Sequence, residues 1–562
     1  MAQRTEKAPG ASELVFVPLG GIGEIGMNVY LYGFGPSHDR KWLMVDLGVT
    51  FPGPDEPGVD VVLPDLRFIE EMRRDLVGIV LTHGHEDHIG AVLDLWPRLK
   101  VPVYATAFTA ELLKSKMGED GGRRELDIKV IPLKAKITLG PFSIELVNVA
   151  HSIPEPNALA IRTPLGLVVH TADWKIDAAP ITGAPTDEAR LRELGAEGVD
   201  VLVCDSTNAM REGISPSEEE VGRNIAAIVK EAKQRVAVTI FASNVARIRS
   251  VADAARQTGR ELVVAGRAMH RVILAAQETG ILPRSLKFHD QQAFGYFERN
   301  KILLLMTGSQ GEPRAALARV AAGEHPEIDL APDDLVIFSS RTIPGNERAV
   351  GKIQNALVDQ GVRLVTDNEA LVHVTGHPRR GELKQMYEWV KPKTLVPMHG
   401  EPRHLEEQGR YARSLGVPAV AQTRNGRMLR FLPGPVEVVD EVPVGRLFRD
   451  GNLIVDGEDG PVRERRRLSF AGIVVVSLVV GKNGELAADP QVILDGVPTV
   501  DREGESIADF ILDEVEGAVA SIPKGKRRDR AVVEEAARRA ARGAVSAAWG
   551  KKPICKVMLT VV

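Results

Sequence analysis

Directly after the apolar run Gly78–Leu81 the chain reads Thr82-His83-Gly84-His85-Glu86-Asp87-His88. Three histidines and an aspartate on one short stretch, with a glycine to turn it, can point imidazoles and a carboxylate into one cavity. Imidazole nitrogen and carboxylate oxygen suit zinc and similar divalent ions. Only 13 of the 562 residues are histidine, so this pattern arises by chance on the order of a few times in ten thousand such chains. A fold that uses it must end a buried strand in a ligand-bearing loop, which is the habit of layered α/β architectures.

Further donors stand where other apolar runs stop. His151 follows Glu145–Ala150, Asp173 follows Leu167–Ala172, and His399 lies in Val396-Pro397-Met398-His399-Gly400-Glu401. Taken singly each is more often a cap or a satisfied core residue. Taken with the first motif, all are expected to converge on one sheet edge.

The first third alternates short strand-like runs with turns: Leu14–Pro18, Trp42–Asp46, Gly78–Thr82, Val101–Tyr104, Phe142–Asn148, Leu167–Thr171 and Val199–Cys204. At Ser215-Pro216-Ser217-Glu218 a helix start is expected with Ser215 as its cap. From there helices alternate with the buried strands Arg235–Ala242, Glu261–Ala265, Ile302–Met306, Leu335–Ser339 and Val362–Val365, a second α/β unit with parallel strands. Histidine-bearing loops then return at 373–377 and 399, so the second unit reads as an insertion. The expected boundaries are a disordered 1–13, a first domain in two parts, 14–214 and 368–460, an inserted domain 215–367, a linker 461–472 and a C-terminal α+β module 473–562.

Net charge is −5, so any affinity for nucleic acid must come from local basic patches. The basic residues around the helix Arg530–Trp549 read as a solvated face. Two cysteines, Cys204 and Cys555, exclude a disulfide framework. With no apolar leader and no run long enough to span a bilayer, a cytoplasmic location without membrane attachment is expected. Thr307-Gly308-Ser309-Gln310-Gly311-Glu312 lacks the lysine of a P-loop, which excludes that route to nucleotide hydrolysis.

Asp205-Ser206-Thr207-Asn208, Thr375-Gly376-His377 and Pro397-Met398-His399-Gly400-Glu401 complete a pattern that resembles the metallo-β-lactamase superfamily and, within it, the β-CASP nucleases. The opening Leu19-Gly20-Gly21-Ile22-Gly23-Glu24-Ile25-Gly26-Met27-Asn28 is similar to that of the ribonuclease J family. The resemblance implies a metallo-β-lactamase αββα sandwich with an inserted β-CASP α/β domain and a small C-terminal α+β domain. It implies two zinc ions, with manganese or magnesium as alternatives. His83, His85 and His151 would hold one; Asp87, His88 and His399 the other; Asp173 would bridge. Asp46 matches an acid that orients ligand histidines from behind, although capping the turn before Gly48 is an equal alternative.

The same resemblance implies hydrolysis of RNA phosphodiester bonds, with Asp87 at the reacting centre and His377, supported by Asp205, as proton donor to the leaving oxygen. Ala242, Ser243 and Asn244 on one side, and His373, Val374, Thr375, Gly376 and His377 on the other, would receive substrate. An ordinary helix cap at Ser243 is the competing account of the first stretch. Some members of the family hold a structural calcium; the matching residues here are Gly58, Asp60 and Asp456, for which turn capping is the preferred reading.

The expected activity is 5′-to-3′ exoribonuclease on 5′-monophosphate ends, with endonuclease action, in mRNA decay and rRNA maturation. Single-stranded RNA, a homodimer or homotetramer, and components of an RNA-degradation complex are the expected partners. The alternatives are another β-CASP endonuclease acting on RNA or DNA, or a small-molecule metallo-hydrolase. An insert of about 150 residues argues against the last, because it would roof the metals.

Overall fold

The computed structural model describes residues 10–119, 125–457 and 460–562. The expected disorder of 1–13 falls largely outside them; within them, a strand already begins at Glu13, whose carboxylate pairs with Arg40 at 2.7 Å. The chain forms two compact units, one of residues 1–50 with 63–445 and one of 51–62 with 446–562.

In the first unit an eight-stranded and a seven-stranded mixed sheet pack around one core, to which Phe16, Tyr32 and Leu43 come from one sheet and Ile144, Leu159, Val168 and Val396 from the other. Strands buried on one face only alternate; central strands here, such as Lys41–Val45 and Val201–Asp205, are buried on both faces and read as nearly continuous apolar runs, while edge strands such as Glu437–Glu441 are exposed. The outer face of the seven-stranded sheet carries a second core, with Leu191 and Leu194 of the helix Glu188–Glu197 and Leu383, Met386 and Trp389 of the helix Arg380–Val390. Helices outside two facing sheets are the αββα arrangement.

Three neighbouring strands fix where the functional loops emerge. Gly166–His170, Val201–Asp205 and Thr394–Met398 run parallel in register, Val168 beside Val201 and Val201 beside Thr394. Lys41–Val45 and Leu76–Val80 are likewise parallel in the other sheet. Parallel strands end at the same edge, so the loops after them meet there.

The insertion holds a six-stranded parallel sheet that includes Val236–Thr239, Glu261–Ala265, Ile302–Met306, Leu335–Phe338 and Arg363–Val365. Its helix Glu218–Glu231 is capped by Ser217, whose side chain accepts from the Glu220 amide at 3.1 Å, not by Ser215. Ser215 is instead drawn to the buried carboxylate of Glu382, to which its hydroxyl donates at 2.9 Å.

In the second unit the strand Ile473–Val480 pairs antiparallel with Leu486–Asp495 and parallel with Ile554–Val561. The helices Ile507–Ala520 and Arg530–Trp549 cover one face. Arg530, Arg538 and Arg539 pair with Glu534 and Glu535 of their own helix. The expected linker 461–472 is a helix, Pro461–Ala471, with proline in its first turn. Its arginines serve folded structure: Arg466 donates to the Asp55 carbonyl at 2.6 Å, and Arg465 pairs with Asp450. These bonds, with Asp60 N to Arg449 O at 2.9 Å, place 51–62 and the hairpin Arg446–Asp456 with the C-terminal unit, where the sequence had assigned both to the first domain.

Glu145, in the strand Phe142–Asn148, offers a test of how polar contacts support the sandwich. Burial alone would raise its pKa. Hydrogen bonds from Arg190 at 2.7 Å and Arg162 at 3.0 Å outweigh burial and hold it down to about 2. A depressed carboxyl stabilises the fold above its unfolded pKa, near 4.5, and that contribution is lost as pH falls towards 2. Glu145→Gln is expected to cost about 2 kcal/mol at pH 7 and progressively less below pH 4. Thermal melts at pH 7 and pH 3 check this; an equal gap at both values would contradict it.

Candidate metal centre

Most of the histidines and aspartates expected at the centre stand at or just beyond a strand end; His373 and His377 do not, lying between the strand Arg363–Val365 and the helix Arg380–Val390. Asp46 follows Lys41–Val45, the His83–His88 loop follows Leu76–Val80, and His151 follows Phe142–Asn148. Asp173 follows Gly166–His170, Asp205 ends its strand, and His399 follows Thr394–Met398. Asp46, Ala172 and His399 have left-handed backbone, φ +61°, +50° and +50°. For non-glycine residues this costs roughly 1 kcal/mol or more each, a strain commonly stored where side chains must be aimed.

Among the described residues three overlapping groups of donors result, the ligand atoms of each lying within 4.8 Å of one another. The first is His83, His85, His151 and Asp173. The second is Asp87, His88, Asp173 and His399. The third is Asp173, Asp205, His377 and His399. Asp173 belongs to all three. Its Oδ2 lies 3.2 Å from His88 Nε2, 3.7 Å from His151 Nε2 and 4.0 Å from His83 Nε2, while its Oδ1 is 2.8 Å from His399 Nδ1.

Contacts behind the donors fix their ring faces. Asp46 Oδ2 sits 2.7 Å from His88 Nδ1, leaving Nε2 for the centre, and Asp46 itself accepts from the amide and hydroxyl of Thr82, both at 2.8 Å. The Gly376 carbonyl accepts from His151 Nδ1 at 2.6 Å. Thr82 Oγ1 lies 3.0 Å from His83 Nδ1. Asn28, which ends the glycine-rich opening motif, donates to the Asp87 carbonyl at 3.1 Å and is held by the Tyr30 hydroxyl at 2.7 Å. Gly48 is required by crowding: a Cβ there would lie 1.7 Å from the Asp87 carbonyl oxygen.

The electrostatics divide the donors. Burial, aided by neighbouring histidines, lowers His83 and His151 well below the usual imidazole range and takes His85 down to about 4. Burial also opposes charge on His88 and His399, but Asp173 and Asp87 outweigh it, raising the first well above its usual value and the second to about 10. Burial would raise Asp173, yet His399 and His88 hold it well below the ordinary carboxylate range. Asp173 Oδ1 and His399 Nε2 are buried without a well-aligned hydrogen bond, their close neighbours, His399 Nδ1 at 2.8 Å and Asp87 Oδ2 at 3.2 Å, being themselves donors of the centre. Orphaned buried donors and acceptors call for a partner. A nitrogen-rich set with carboxylates, two orphaned atoms and histidines oriented from behind fits divalent cations.

His377 lies beside this centre, its Nδ1 2.7 Å from Asp205 Oδ2. Burial opposes its charged form, but Asp205 and Asp173 raise its pKa. Asn208 donates to Thr375 Oγ1 at 2.8 Å and to the His377 carbonyl at 3.2 Å, a link the sequence did not reveal. His373 stands apart from the donors; burial and the nearby Arg247 push its pKa down to about 3. Phe241–Asn244 leads into the helix Val245–Thr258, whose cap is Asn244, where Ser243 had been the competing choice. Gly58, Asp60 and Asp456 lie in the other unit. Asp60 Oδ2 accepts from the Gly451 amide at 2.9 Å, and among the described residues neither aspartate belongs to a group of three such donors.

Gly376 carries a direct prediction. A Cβ there would lie 2.5 Å from His151 Cε1. Gly376→Ala is expected to push the imidazole aside and weaken metal affinity or turnover roughly 10- to 100-fold. Metal titration followed by elemental analysis checks this, and wild-type affinity would contradict it.

Facing sheets with helices outside them, a parallel α/β insertion and an edge lined by His and Asp donors define a metallo-β-lactamase superfamily protein of the β-CASP type. Residues 22–173 match the family described as Metallo-beta-lactamase superfamily, and 233–357 match Ribonuclease J, beta-CASP domain. Residues 361–422 match Zn-dependent metallo-hydrolase RNA specificity domain, and 460–562 match Ribonuclease J C-terminal domain. The chain is 54% identical over 550 residues to Ribonuclease J of Sinorhizobium meliloti, covering 98% of each. It is 40% identical to Ribonuclease J of Mycolicibacterium smegmatis, covering 91% of each. A crystal structure of a protein of unknown function from Enterococcus faecalis matches 74% of this chain and all of its own, with TM-score 0.50 and 16% identity, a likeness of fold. The chain belongs to the ribonuclease J family.

Proposed function

We propose that this protein hydrolyses RNA phosphodiester bonds with two zinc ions, manganese or magnesium being the alternatives. The single observation that carries the reading is the convergence of His83, His85, His151, Asp87, His88 and His399 around Asp173, with the His377–Asp205 pair alongside. The first three histidines would hold one ion, Asp87, His88 and His399 the other, and Asp173 both. Such ions, when bound, lower the pKa of water and neutralise phosphate charge.

The chain's own groups supply the rest. Asp46 fixes the face that His88 presents, and the Gly376 carbonyl does so for His151. His377, held by Asp205, gives a proton to the departing 3′-oxygen, leaving a 5′-phosphate on the other product. The loop Ala242–Asn244 at the start of a 14-residue helix offers backbone amides to a terminal phosphate, and His373–Gly376 forms the opposite wall. A pocket of this kind favours 5′-monophosphate ends and directs hydrolysis 5′ to 3′, with internal cleavage as a second mode. The setting we propose is cytoplasmic mRNA decay and rRNA maturation by a homodimer or homotetramer, with partners in an RNA-degradation complex. Among the described residues no helix is long and apolar enough to cross a membrane.

The test is digestion of labelled 5′-monophosphate, 5′-triphosphate and 5′-hydroxyl RNAs and a matched DNA, before and after chelation. Mononucleotides released from 5′-monophosphate RNA, lost on chelation and restored by zinc or manganese, are expected. Undiminished cleavage after complete metal removal would sink the reading, and preference for DNA would redirect it to another β-CASP nuclease.

A further inference from the structure

Arg247 lies in the first turn of the helix Val245–Thr258 and is fully buried. Its amide donates to Asn244 Oδ1 at 2.9 Å, so its backbone closes the cap of the Ala242–Asn244 stretch. Its guanidinium reaches the other wall: Nη1 donates to the Val372 carbonyl at 2.9 Å and to the Ser339 carbonyl at 3.3 Å, and also meets the Ser339 hydroxyl. That hydroxyl donates to the same Val372 carbonyl at 2.7 Å. Val372 immediately precedes His373.

Nη2 pairs with buried Glu218 Oε2 at 2.8 Å, while Nε is buried without a hydrogen bond. From Glu218 the chain of contacts runs back to the metal-centre loop. The Glu218 amide donates to Asp177 Oδ2 at 3.0 Å, and Lys175 lies 2.9 Å from Asp177 and 3.8 Å from Glu218. Lys175 stands two residues beyond Asp173 and donates its amide to the Ala150 carbonyl at 2.7 Å, next to His151. Burying these four charged groups is costly unless each is tied to another. A planar guanidinium with donors fixed in a fork holds several acceptors at set separations, as an ammonium cannot.

We infer that Arg247 is a positioning residue for the RNA 5′ end, fixing the separation of the Ala242–Asn244 and His373–Gly376 walls and so the preference for a terminal monophosphate. This rests on the end-pocket reading above. The guanidinium's partners are Ser339, Val372 and Glu218, none of them a donor of the metal centre; it sets where the two walls stand relative to each other and, through Glu218 and Lys175, relative to Asp173.

The experiment measures kcat and KM on 5′-monophosphate, 5′-triphosphate and 5′-hydroxyl RNAs for wild type, Arg247→Lys and Ser339→Ala, with metal content per subunit. For Arg247→Lys the monophosphate-to-hydroxyl ratio of kcat/KM is expected to fall roughly 10-fold or more, mainly through KM, at wild-type metal content. Ser339→Ala is expected to shift the ratio the same way by a smaller factor. Should Arg247→Lys fail to fold, Ser339→Ala decides alone. An equal loss on every RNA, or an unchanged ratio, would overturn the role of Arg247. A wild type indifferent to its 5′ end would instead overturn the pocket itself, and this inference with it.

Discussion

Replacement of Asp173 by asparagine is expected to lower RNA hydrolysis by about four orders of magnitude or more, some 5 kcal/mol in the barrier, and to weaken both cation positions together. Asp173 is the one carboxylate common to all three donor groups. Its two oxygens approach His88, His151 and His399 on different sides. An asparagine keeps the shape, offers one oxygen in place of two, and turns an NH2 towards a cation. It also removes the negative charge that offsets the His88 and His399 imidazoles. Asp87→Asn is the informative contrast, because Asp87 belongs to the second group alone. That variant is expected to lose the second position while the His83, His85 and His151 set still binds. Elemental analysis of both variants, alongside labelled-RNA digestion, makes the comparison. Full metal content in Asp173→Asn would mean that the aspartate does not bridge.

The donors could be read from sequence because histidine is scarce and each one stood where an apolar run stopped. His83, His151 and His399 are far apart along the chain, but strands of two facing sheets that end at one edge bring them together, the one before His151 running antiparallel to both its neighbours. What supports the donors was less visible. Asn28, Thr82 and Asn208 stand inside the quoted motifs, but their partners Asp87, Asp46 and Thr375 lie elsewhere along the chain, and nothing local shows which residue each one holds. Glu218 was read as part of a capping signal. It is instead a buried anion facing Arg247, and Ser217 takes the cap. The stretch after Pro461, expected as a linker, holds an arginine-rich run that spacing alone does not place in a helix. It folds as a helix because those charges find carbonyls and carboxylates in 51–62 and in the adjoining hairpin. In each case the deciding term was a long-range polar contact, which spacing and hydropathy do not register.

His377→Ala is expected to slow RNA hydrolysis roughly 10²- to 10⁴-fold while metal content stays at the wild-type level, since His377 belongs only to the third donor group, outside the two sets proposed for the ions. Two accounts of such a loss must be separated: proton donation to the leaving 3′-oxygen, and simple contact with phosphate. The leaving group distinguishes them. A ribose 3′-oxygen is a strongly basic alkoxide and needs a proton as its bond to phosphorus breaks, whereas a nitrophenolate departs unprotonated. If His377 is the donor, the variant should lose most of its activity on RNA but only a few-fold on a nitrophenyl phosphodiester. If it only contacts phosphate, both substrates should suffer alike, largely in KM. Asp205 should follow His377 in this behaviour. Its Oδ2, 2.7 Å from His377 Nδ1, raises the imidazole pKa against the effect of burial and orients the ring. Asp205→Asn is therefore expected to reproduce the selective loss on RNA in milder form. A variant crippled equally on both esters would assign the pair to binding rather than to proton transfer.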